Sequence, residues 1–368
     1  MSNESALIGR PVHELDTPAL LVDLPTLDRN IARMRRVIIS ESKVGWRPHT
    51  KGIKIPALAH RLLQAGALGV TCAKLGEAEV MAAAGIRDIL IANEVVGATK
   101  LARLAHLQRH ADVIVAVDGE EQVEALAAAA SAAGTRPRVV VEVNIAMNRA
   151  GVEPGESTVL LAKRVAASPA LRFAGVMGWE GGRLASMEST AKRAAITEAV
   201  GTLTNTADRC RAAGLPVDIV SCGGTGTYWI TATLPGVTEI QAGGGIWGDV
   251  HYQRDFGVEH EYALTVLTTV ISRPTPTRIV CNAGFKSMSQ HPAPPAPLGI
   301  GEVRSVVLSA EHATVELSAP RSAPRVGDTV EFVVGYSDAT VFLHDELYGV
   351  RDGHLEIVWP VSGRGKTR

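Results

Sequence analysis

Short β-branched runs alternate with alanine-rich amphipathic stretches from about residue 44 to residue 245. Between most of the runs the apolar residues fall at helical spacing, as in IPALAHRLLQAG and EEQVEALAAAASAAG. Several of these stretches close on glycine, which suits the left-handed end of a helix. Strands that alternate with helices in this way predict a parallel sheet.

The pattern predicts eight such strands. They cover residues 44–51, 67–74, 88–95, 112–118, 138–145, 171–179, 217–222 and 238–243. Eight strand–helix units favour a closed (β/α)8 barrel, and a doubly wound open sheet is the alternative.

A different pattern begins near residue 258, where strand follows strand, as in EYALTVLTTVISRP and TRIVCNAGF, with turns of Gly, Pro and Asp between them. SMSQHPAPPAPLG is a proline-rich loop inside this region. The early run PALLVDLPTLDRNIARMRRVI predicts a strand, then a helix capped by Asp23 or Thr26. We therefore predict an α/β barrel over 26–255, and a mostly β domain over 256–368 that takes its first strand from 1–25 and completes the active site.

Composition narrows the class of protein. The 368 residues carry a net charge of −1 and only 4% aromatic residues, which disfavours a nucleic-acid surface. No apolar stretch is long enough to span a membrane, and the N-terminus lacks the basic and apolar regions of a leader. The four cysteines are widely spread, so reduced thiols are expected. These features predict a soluble, cytoplasmic protein.

Two glycine-rich loops follow the last two predicted strands, where barrels often hold phosphate groups. They read SCGGTGTY and QAGGGIWGD. Glycine lets backbone N–H groups approach an anion, and threonine hydroxyls add donors. One such loop alone is more simply a tight turn, but two of them at these positions favour a phosphate site.

Lys51 lies at the end of the first predicted strand, in RPHTKGIK, two residues after His49. An amine that points into a barrel mouth can form a Schiff base with an aldehyde. Together with a phosphate site, this lysine predicts pyridoxal 5'-phosphate as the cofactor. Arg149 follows the fifth predicted strand and could tune the electronics of the cofactor ring. Taken singly, Lys51 could be a surface lysine, His49 a structural histidine and Arg149 a salt-bridged residue at the rim.

Seven stretches that span nearly the whole chain carry the motifs of one family: LDTPALLVDLPTLDRNI, RPHTK, GVTCAKLGEAEVMAAAGIRDILIANEVVG, MNRAGVEPGE, GGTGTY, TEIQAG and LYGVRDGHLEIVWPVSGRGK. The chain resembles the D-threonine aldolase and D-serine dehydratase type enzymes, a branch of the alanine-racemase-like, fold-type III pyridoxal phosphate enzymes. The resemblance implies a barrel with a β domain, a homodimer and Lys51 as the Schiff-base lysine. It also implies further residues around the cofactor: His49, Arg149, Gly224, Thr225, Tyr228, Gly243 and Gly244.

The chain departs from this family where members that cleave or dehydrate β-hydroxy amino acids hold a divalent metal. GYSD replaces a GHCD-like motif, so Tyr336 stands in the place of the histidine and Asp338 in that of the second ligand. Three further family positions also differ, where this chain has Gly182, Ile53 and Asn282. A lone carboxylate suits magnesium or manganese better than zinc. Asp338 is thus a weak candidate ligand, with His312, His344 and Asp345 as possible helpers.

Several reactions remain open at this stage. The first is retro-aldol cleavage or dehydration of a D-β-hydroxy amino acid by a lyase. The second is metal-independent racemisation or epimerisation by Lys51 and Tyr336, for which the phenol would need a lowered pKa. A cofactor carrier without turnover and a cofactor-free barrel enzyme with a phosphorylated substrate are further alternatives. Four residues are candidates for the wall of the substrate pocket: Trp179, Arg183, Trp247 and His251.

Overall fold

The computed structural model describes residues 7–182 and 184–368, so Arg183 lies outside the described residues. The chain divides into two compact units. One, the β unit, comprises the chain up to Ala32, Gly52–Ile55 and Gly244–Arg364. The other, the barrel unit, comprises Arg33–Lys51, Pro56–Gly243 and Gly365–Arg368.

Strands and helices are numbered in chain order. The strands are β1 Ala19–Asp23, β2 Gly45–Trp46, β3 Val70–Cys72, β4 Asp88–Glu94, β5 Asp112–Val117, β6 Arg138–Glu142, β7 Arg172–Met177, β8 Ile219–Cys222, β9 Glu239–Ile240, β10 Leu264–Thr275, β11 Arg278–Cys281, β12 Ala296–Pro297, β13 Val303–Leu308, β14 Ala313–Leu317, β15 Thr329–Val333, β16 Glu346–Arg351 and β17 His354–Pro360. The α-helices are α1 Leu24–Arg35, α2 Pro56–Gln64, α3 Leu75–Ala83, α4 Ala98–Leu107, α5 Glu120–Ala133, α6 Glu156–Ala167, α7 Ser189–Ala212, α8 Tyr228–Thr231 and α9 Val250–Phe256.

The barrel unit contains eight parallel strands in the order β2-β9-β8-β7-β6-β5-β4-β3. A parallel bridge between His49 and Thr71 joins the two ends of this order and closes the ring. The strands are buried on both faces, which explains their near-continuous Val and Ile runs. One interior cluster is formed by Leu90, Ile114, Ala116, Val140, Ala174, Met177 and Ile219. The predicted barrel is confirmed.

The first and last predicted strands pair over fewer residues than expected. The segment 44–51 pairs as β2 and again at His49, because Pro48 between them has no N–H to donate to a ladder. Lys51 therefore lies in a 3-10 turn, Thr50–Gly52, and not in the strand itself. This corrects the predicted end of the first strand, while the residue still follows the strand's carboxyl end.

A network of charges joins Arg47, which directly follows β2, to residues at the amino ends of β4, β6 and β9. Arg47 is only 2% exposed, and its guanidinium donates two hydrogen bonds of 3.0 Å to the carboxylate of Glu239, the first residue of β9. A further ion pair of 2.9 Å joins Arg47 to Asp88, the first residue of β4. Arg138, which begins β6, also pairs with Asp88 at 2.6 Å. These pairs lie at the end opposite to the one where barrels carry their active sites, so we assign them to stability.

The β unit is built on a sheet whose main order is β13-β14-β11-β10-β1-β16-β17, with β15 on β10 and β12 on β15. The strand β1 pairs antiparallel with β10 and parallel with β16, so the N-terminal strand lies in the same sheet as the later strands. Helix α1 begins directly after Asp23, whose carboxylate accepts a 2.9 Å hydrogen bond from the N–H of Thr26. Asp23 is thus the cap, and Thr26 lies inside the helix.

All four cysteines, Cys72, Cys210, Cys222 and Cys281, are buried, and none of them forms a disulfide among the described residues, as their spacing predicts. Within residues 7–182 and 184–368, no helix combines the length and the apolar character that crossing a membrane requires.

Candidate active site

Lys51 and His49 are placed by a close backbone contact at the carboxyl ends of β2 and β9. The N–H of His49 donates a 2.9 Å hydrogen bond to the carbonyl of Gln241. A Cβ added to Gly243 would lie 2.1 Å from the His49 carbonyl oxygen, so only glycine permits this approach. The N–H of Lys51 donates to Nδ1 of His49 at 3.3 Å, and the lysine side chain is exposed. The contact thus fixes the segment that presents the lysine.

The glycine-rich loop after β8 packs against the segment that follows β7. A Cβ on Gly224 would lie 2.2 Å from the ring of Trp179, so this glycine allows the loop and the indole to meet. Thr225 is 4% exposed, and Tyr228, which opens α8, is 2% exposed. Four predicted cofactor residues of the barrel unit therefore follow the carboxyl ends of β8 and β9: Gly224, Thr225, Tyr228 and Gly243. Gly244 follows Gly243 in the chain and begins the 3-10 turn Gly244–Ile246 of the β unit.

The loop after β8 fits an anionic group such as the phosphate of pyridoxal phosphate. The backbone N–H groups of Thr225 and Gly226 donate no hydrogen bond within the part of the chain that the structure describes. By contrast, the N–H of Gly224 donates to the Thr227 hydroxyl at 3.0 Å. Two neighbouring N–H groups in a glycine-rich loop are suitable donors for phosphate oxygens. The expectation that Gly224 itself binds the phosphate stays a prediction.

Acidic residues at the carboxyl ends of β4 and β6 lie beside Arg149, and the sequence analysis missed them. Glu142 ends β6, and its carboxylate lies 4.0 Å from the guanidinium of Arg149, whose side chain is 60% exposed. Glu94 ends β4, and its Oε1 is buried without a hydrogen-bond partner among the described residues. Burial, with help from Glu94, raises the pKa of the Glu142 carboxyl to about 8. The available signal was a carboxylate on the last residue of each of the two strands that flank β5.

Replacing Glu142 by glutamine should flatten the pH dependence of the apoprotein's stability. In the unfolded chain this carboxyl titrates near its ordinary pKa of 4.5, and in the folded protein near 8. Between these values the folded protein binds the extra proton, so the contribution of Glu142 to stability is fully present below pH 4.5 and is lost as the pH rises towards 8. The slope for one proton is at most about 1.4 kcal/mol per pH unit. Urea unfolding at several pH values measures it. Glu153→Gln, at an exposed position, is the control, and equal slopes for Glu142→Gln and wild type would refute the assignment.

The β unit gathers a second group of polar side chains on α9 and the 3-10 turn Ser337–Ala339. The Tyr336 hydroxyl donates a 2.9 Å hydrogen bond to Oδ2 of Asp338. The ring of His251 lies 5.1 Å from the Tyr336 ring, edge to face, and its Nδ1 is 2.7 Å from Oδ2 of Asp255. A Cβ on Gly52 would lie 2.0 Å from Oδ1 of Asp338. Gly52 and Asp338 both belong to the β unit, so this close approach is a packing contact within that unit.

A buried carboxylate joins these two elements. Oδ2 of Asp249 accepts hydrogen bonds from the N–H and the hydroxyl of Ser337, at 2.9 and 2.8 Å. Its Oδ1 accepts from the N–H of Tyr252 and so caps α9. Burial raises the pKa of Asp249 to about 7. Nothing in the sequence pattern singled out this residue, because its partner lies 88 residues away.

The surroundings of Tyr336 oppose the phenolate that the racemase alternative needs. Burial, together with the nearby Asp338 carboxylate, raises the pKa of the Tyr336 phenol well above its ordinary value of 10. This shift is opposite to the lowering of the pKa that the racemase alternative needs, and the catalytic role of Tyr336 stays a prediction.

The side chains around Asp338 do not fit a divalent metal site. Among the described residues, no group of three or more His, Cys, Asp or Glu could hold a metal ion. One oxygen of Asp338 already accepts the Tyr336 hydroxyl. His344 contacts the carbonyl of Ser287 at 2.7 Å, and His312 is exposed. Asp338 as a metal ligand stays a prediction that the donor set does not favour.

The remaining candidates have local structural contacts. The Trp247 indole N–H donates to the carbonyl of Gly52 at 2.9 Å, which fixes the ring inside the β unit. The side-chain amide of Asn282 accepts from the N–H of Thr269 and donates to Thr17, so it links strands of this unit. Neither contact decides a role in substrate binding.

Comparison with known proteins shows to which family the chain belongs. The model of the alanine racemase N-terminal domain matches residues 22–251, which is more than half of the chain. The chain belongs to this family. The serine dehydratase domain model matches residues 263–350, in the β unit. The family is one of pyridoxal phosphate enzymes, so the cofactor predicted from Lys51 and the glycine-rich loops agrees with it.

Within the family, the chain is similar over nearly its full length to characterised lyases. A D-threonine aldolase from Arthrobacter sp is 35% identical over 98% of this chain and 96% of that protein. A 3-hydroxy-D-aspartate aldolase from Paracoccus denitrificans (strain Pd 1222) is also 35% identical, over 98% of this chain and 95% of that protein. The resemblance to the D-threonine aldolase and D-serine dehydratase type enzymes is confirmed.

Solved structures agree with this placement. The crystal structure of D-threonine aldolase from Filomicrobium marinum matches with a TM-score of 0.95 and 36% identity, over 98% of both chains. A histidine-to-alanine mutant of D-threo-3-hydroxyaspartate dehydratase matches with a TM-score of 0.84 and 27% identity, over 96% of both chains. Alanine racemase from Clostridium difficile 630, at 15% identity and a TM-score of 0.73, shares the fold alone.

Proposed function

We propose that this protein is a pyridoxal-phosphate-dependent lyase that cleaves a D-β-hydroxy amino acid into glycine and an aldehyde. The observation that carries the proposal is the 35% identity, over 98% of the chain, to a D-threonine aldolase and to a 3-hydroxy-D-aspartate aldolase. The similarity to a D-threo-3-hydroxyaspartate dehydratase is lower, with 27% identity and a TM-score of 0.84 in structure, against 36% and 0.95 for a D-threonine aldolase. Cleavage of the Cα–Cβ bond is therefore preferred to dehydration.

The residues proposed to hold the cofactor come from the ends of β2, β6, β8 and β9. Lys51 would bind the cofactor's aldehyde through its Nζ. The loop of Gly224 and Thr225, with Gly243 and Gly244, would receive the phosphate. When bound, the cofactor supplies an electron sink for the charge that develops at Cα. His49, Arg149 and Tyr228 complete the proposed set, and His49 acts by holding the turn of Lys51.

The chain's own residues supply the proton chemistry of the proposed reaction. The amine of Lys51 is the group that would return a proton to Cα after the bond to Cβ is broken. Arg149, held near the carboxylate of Glu142, would keep a positive charge beside the cofactor ring. In the β unit, Tyr336 and Asp338 offer a hydroxyl and a carboxylate for the β-hydroxyl of the substrate. All of these roles are proposals.

The proposed setting is a homodimer in the cytoplasm. The dimer rests on the resemblance to the family. The location is supported by four buried cysteines that form no disulfide among the described residues, which is typical of a reducing compartment.

The proposed reaction is tested by proton NMR of the cofactor-loaded protein in deuterated buffer. With D-threonine we expect glycine and acetaldehyde, and with 3-hydroxy-D-aspartate glycine and glyoxylate. L-Threonine is the control and should remain unchanged. A chelator should leave the rate unchanged, because the donors around Asp338 do not form a metal site. A 2-oxo acid as product would indicate a dehydratase, and deuterium at Cα with only the Cα epimer would indicate a racemase. Either result would contradict the proposed cleavage.

A further inference from the structure

Glu180 is a buried acid whose carboxylate accepts hydrogen bonds from the glycine-rich loop after β8. It lies three residues after the end of β7 and is 1% exposed. Its Oε1 accepts hydrogen bonds from the hydroxyls of Thr227 and Thr231, both at 2.7 Å. Its Oε2 accepts from the N–H of Gly223 at 3.1 Å. All three donors belong to the loop after β8 or to α8, so one carboxylate fixes both.

These hydrogen bonds decide which backbone donors of the loop are already used. The N–H of Gly223 donates to Glu180, and the N–H of Gly224 donates to the Thr227 hydroxyl, which itself donates to Glu180. The next two N–H groups, of Thr225 and Gly226, donate to no described residue. The Glu180 network therefore uses the N–H groups of Gly223 and Gly224 and leaves the following two for a ligand.

The residue before Glu180 also packs against this loop. Trp179 precedes Glu180, and its ring lies where a Cβ on Gly224 would be, at 2.2 Å. Thr227 and Thr231 are fully buried, so their hydroxyls have no water as an alternative partner. The loop is thus held in one conformation before any ligand arrives, and a preorganised donor pair binds an anion without a further ordering cost.

We propose that Glu180 is a positioning residue for the phosphate of the cofactor, and that the N–H groups of Thr225 and Gly226 are the phosphate donors that it presents. This proposal rests on the proposed function, since it assumes a phosphorylated pyridoxal cofactor. Glu180 acts through the loop and has no contact with the reacting atoms. A carboxylate beneath an anion site would repel the anion if it were free. Here the two oxygens of the carboxylate accept three hydrogen bonds from the loop and α8. A glutamine cannot accept all three, because its amide nitrogen is a donor.

The test compares two ligands that differ only in the phosphate. Apoprotein is titrated with pyridoxal phosphate and with pyridoxal, and both dissociation constants are followed by absorbance. For Glu180→Gln we expect pyridoxal phosphate to bind about 10-fold more weakly or worse, with little change for pyridoxal. Glu198→Gln, at an exposed position of α7, is the matched control and should equal wild type.

A second pair of variants keeps the test decisive if Glu180→Gln folds poorly. Thr231→Val removes one donor to Glu180, and Thr231→Ser keeps it. We expect the valine variant to lose phosphate preference and the serine variant to keep it. Equal losses for both ligands would mean a merely structural role, and an unchanged preference would mean no role; each overturns the proposal. If wild type does not prefer pyridoxal phosphate to pyridoxal, the proposed function fails together with this proposal. If wild type prefers pyridoxal phosphate and the variants keep that preference, only the role of Glu180 fails.

Discussion

Replacing Lys51 by alanine is expected to lower the rate of lyase turnover by at least about 10³-fold, the scale seen when a covalent catalyst is removed. The amine would be lost both as the group that binds the cofactor's aldehyde and as the proton donor to Cα. Lys51→Arg should be equally inactive, because a guanidinium keeps the charge but does not form the Schiff base. Turnover of D-threonine to glycine measures both variants.

The control for this experiment is Lys163→Ala, which removes an exposed lysine of α6 and should keep full activity. Borohydride reduction of the loaded wild type, followed by peptide mass spectrometry, should place the cofactor's mass on the peptide that contains Lys51. Label on another lysine, or an arginine variant with wild-type turnover, would remove Lys51 from the proposed site.

Replacing Arg47 by methionine is expected to destabilise the apoprotein by about 3–5 kcal/mol. The guanidinium is 2% exposed and donates two hydrogen bonds to Glu239, which is also 2% exposed. The methionine would leave the Glu239 carboxylate buried with its charge uncompensated, and Asp88 would lose one of its two arginine partners. Urea unfolding of the apoprotein measures the loss.

Two further variants isolate the cause. Arg164→Met breaks an exposed ion pair of 2.5 Å with Glu124 and should cost less than about 1 kcal/mol. Adding Glu239→Gln to Arg47→Met should recover part of the lost stability, because it removes the stranded charge. If the double variant is no more stable than Arg47→Met, loss of packing and not the buried charge is the main effect.

The order of elements was predictable because it depends on local spacing. Residues that alternate between strand and helix patterns within about 30 positions carry their own signal, and the eight strands follow it. The position of Lys51 near a strand end and the two glycine-rich loops were visible for the same reason. The N-terminal strand's pairing was also anticipated, since an isolated strand needs a sheet to join.

The surroundings of Tyr336 could not be predicted because they depend on neighbours that the sequence does not reveal. Its hydroxyl donates to the Asp338 carboxylate, which helps to raise the pKa of the phenol, whereas the racemase alternative needs a lowered pKa. The two acids beside Arg149 were missed for a similar reason. Glu94 and Glu142 are 48 residues apart in the chain, and their strand ends come together because β4 and β6 both pair with β5.

The sequence by itself therefore determined the barrel, the mostly β region, the family and the candidate lysine, since each is written in short-range patterns or motifs. Only the tertiary structure decided which groups contact one another. Arg47 meets Glu239 across 192 residues, and Glu180 meets Thr231 across 51. Such contacts decide which charges are buried and which backbone donors remain for a ligand, because burial and hydrogen bonding depend on distance in space and not along the chain.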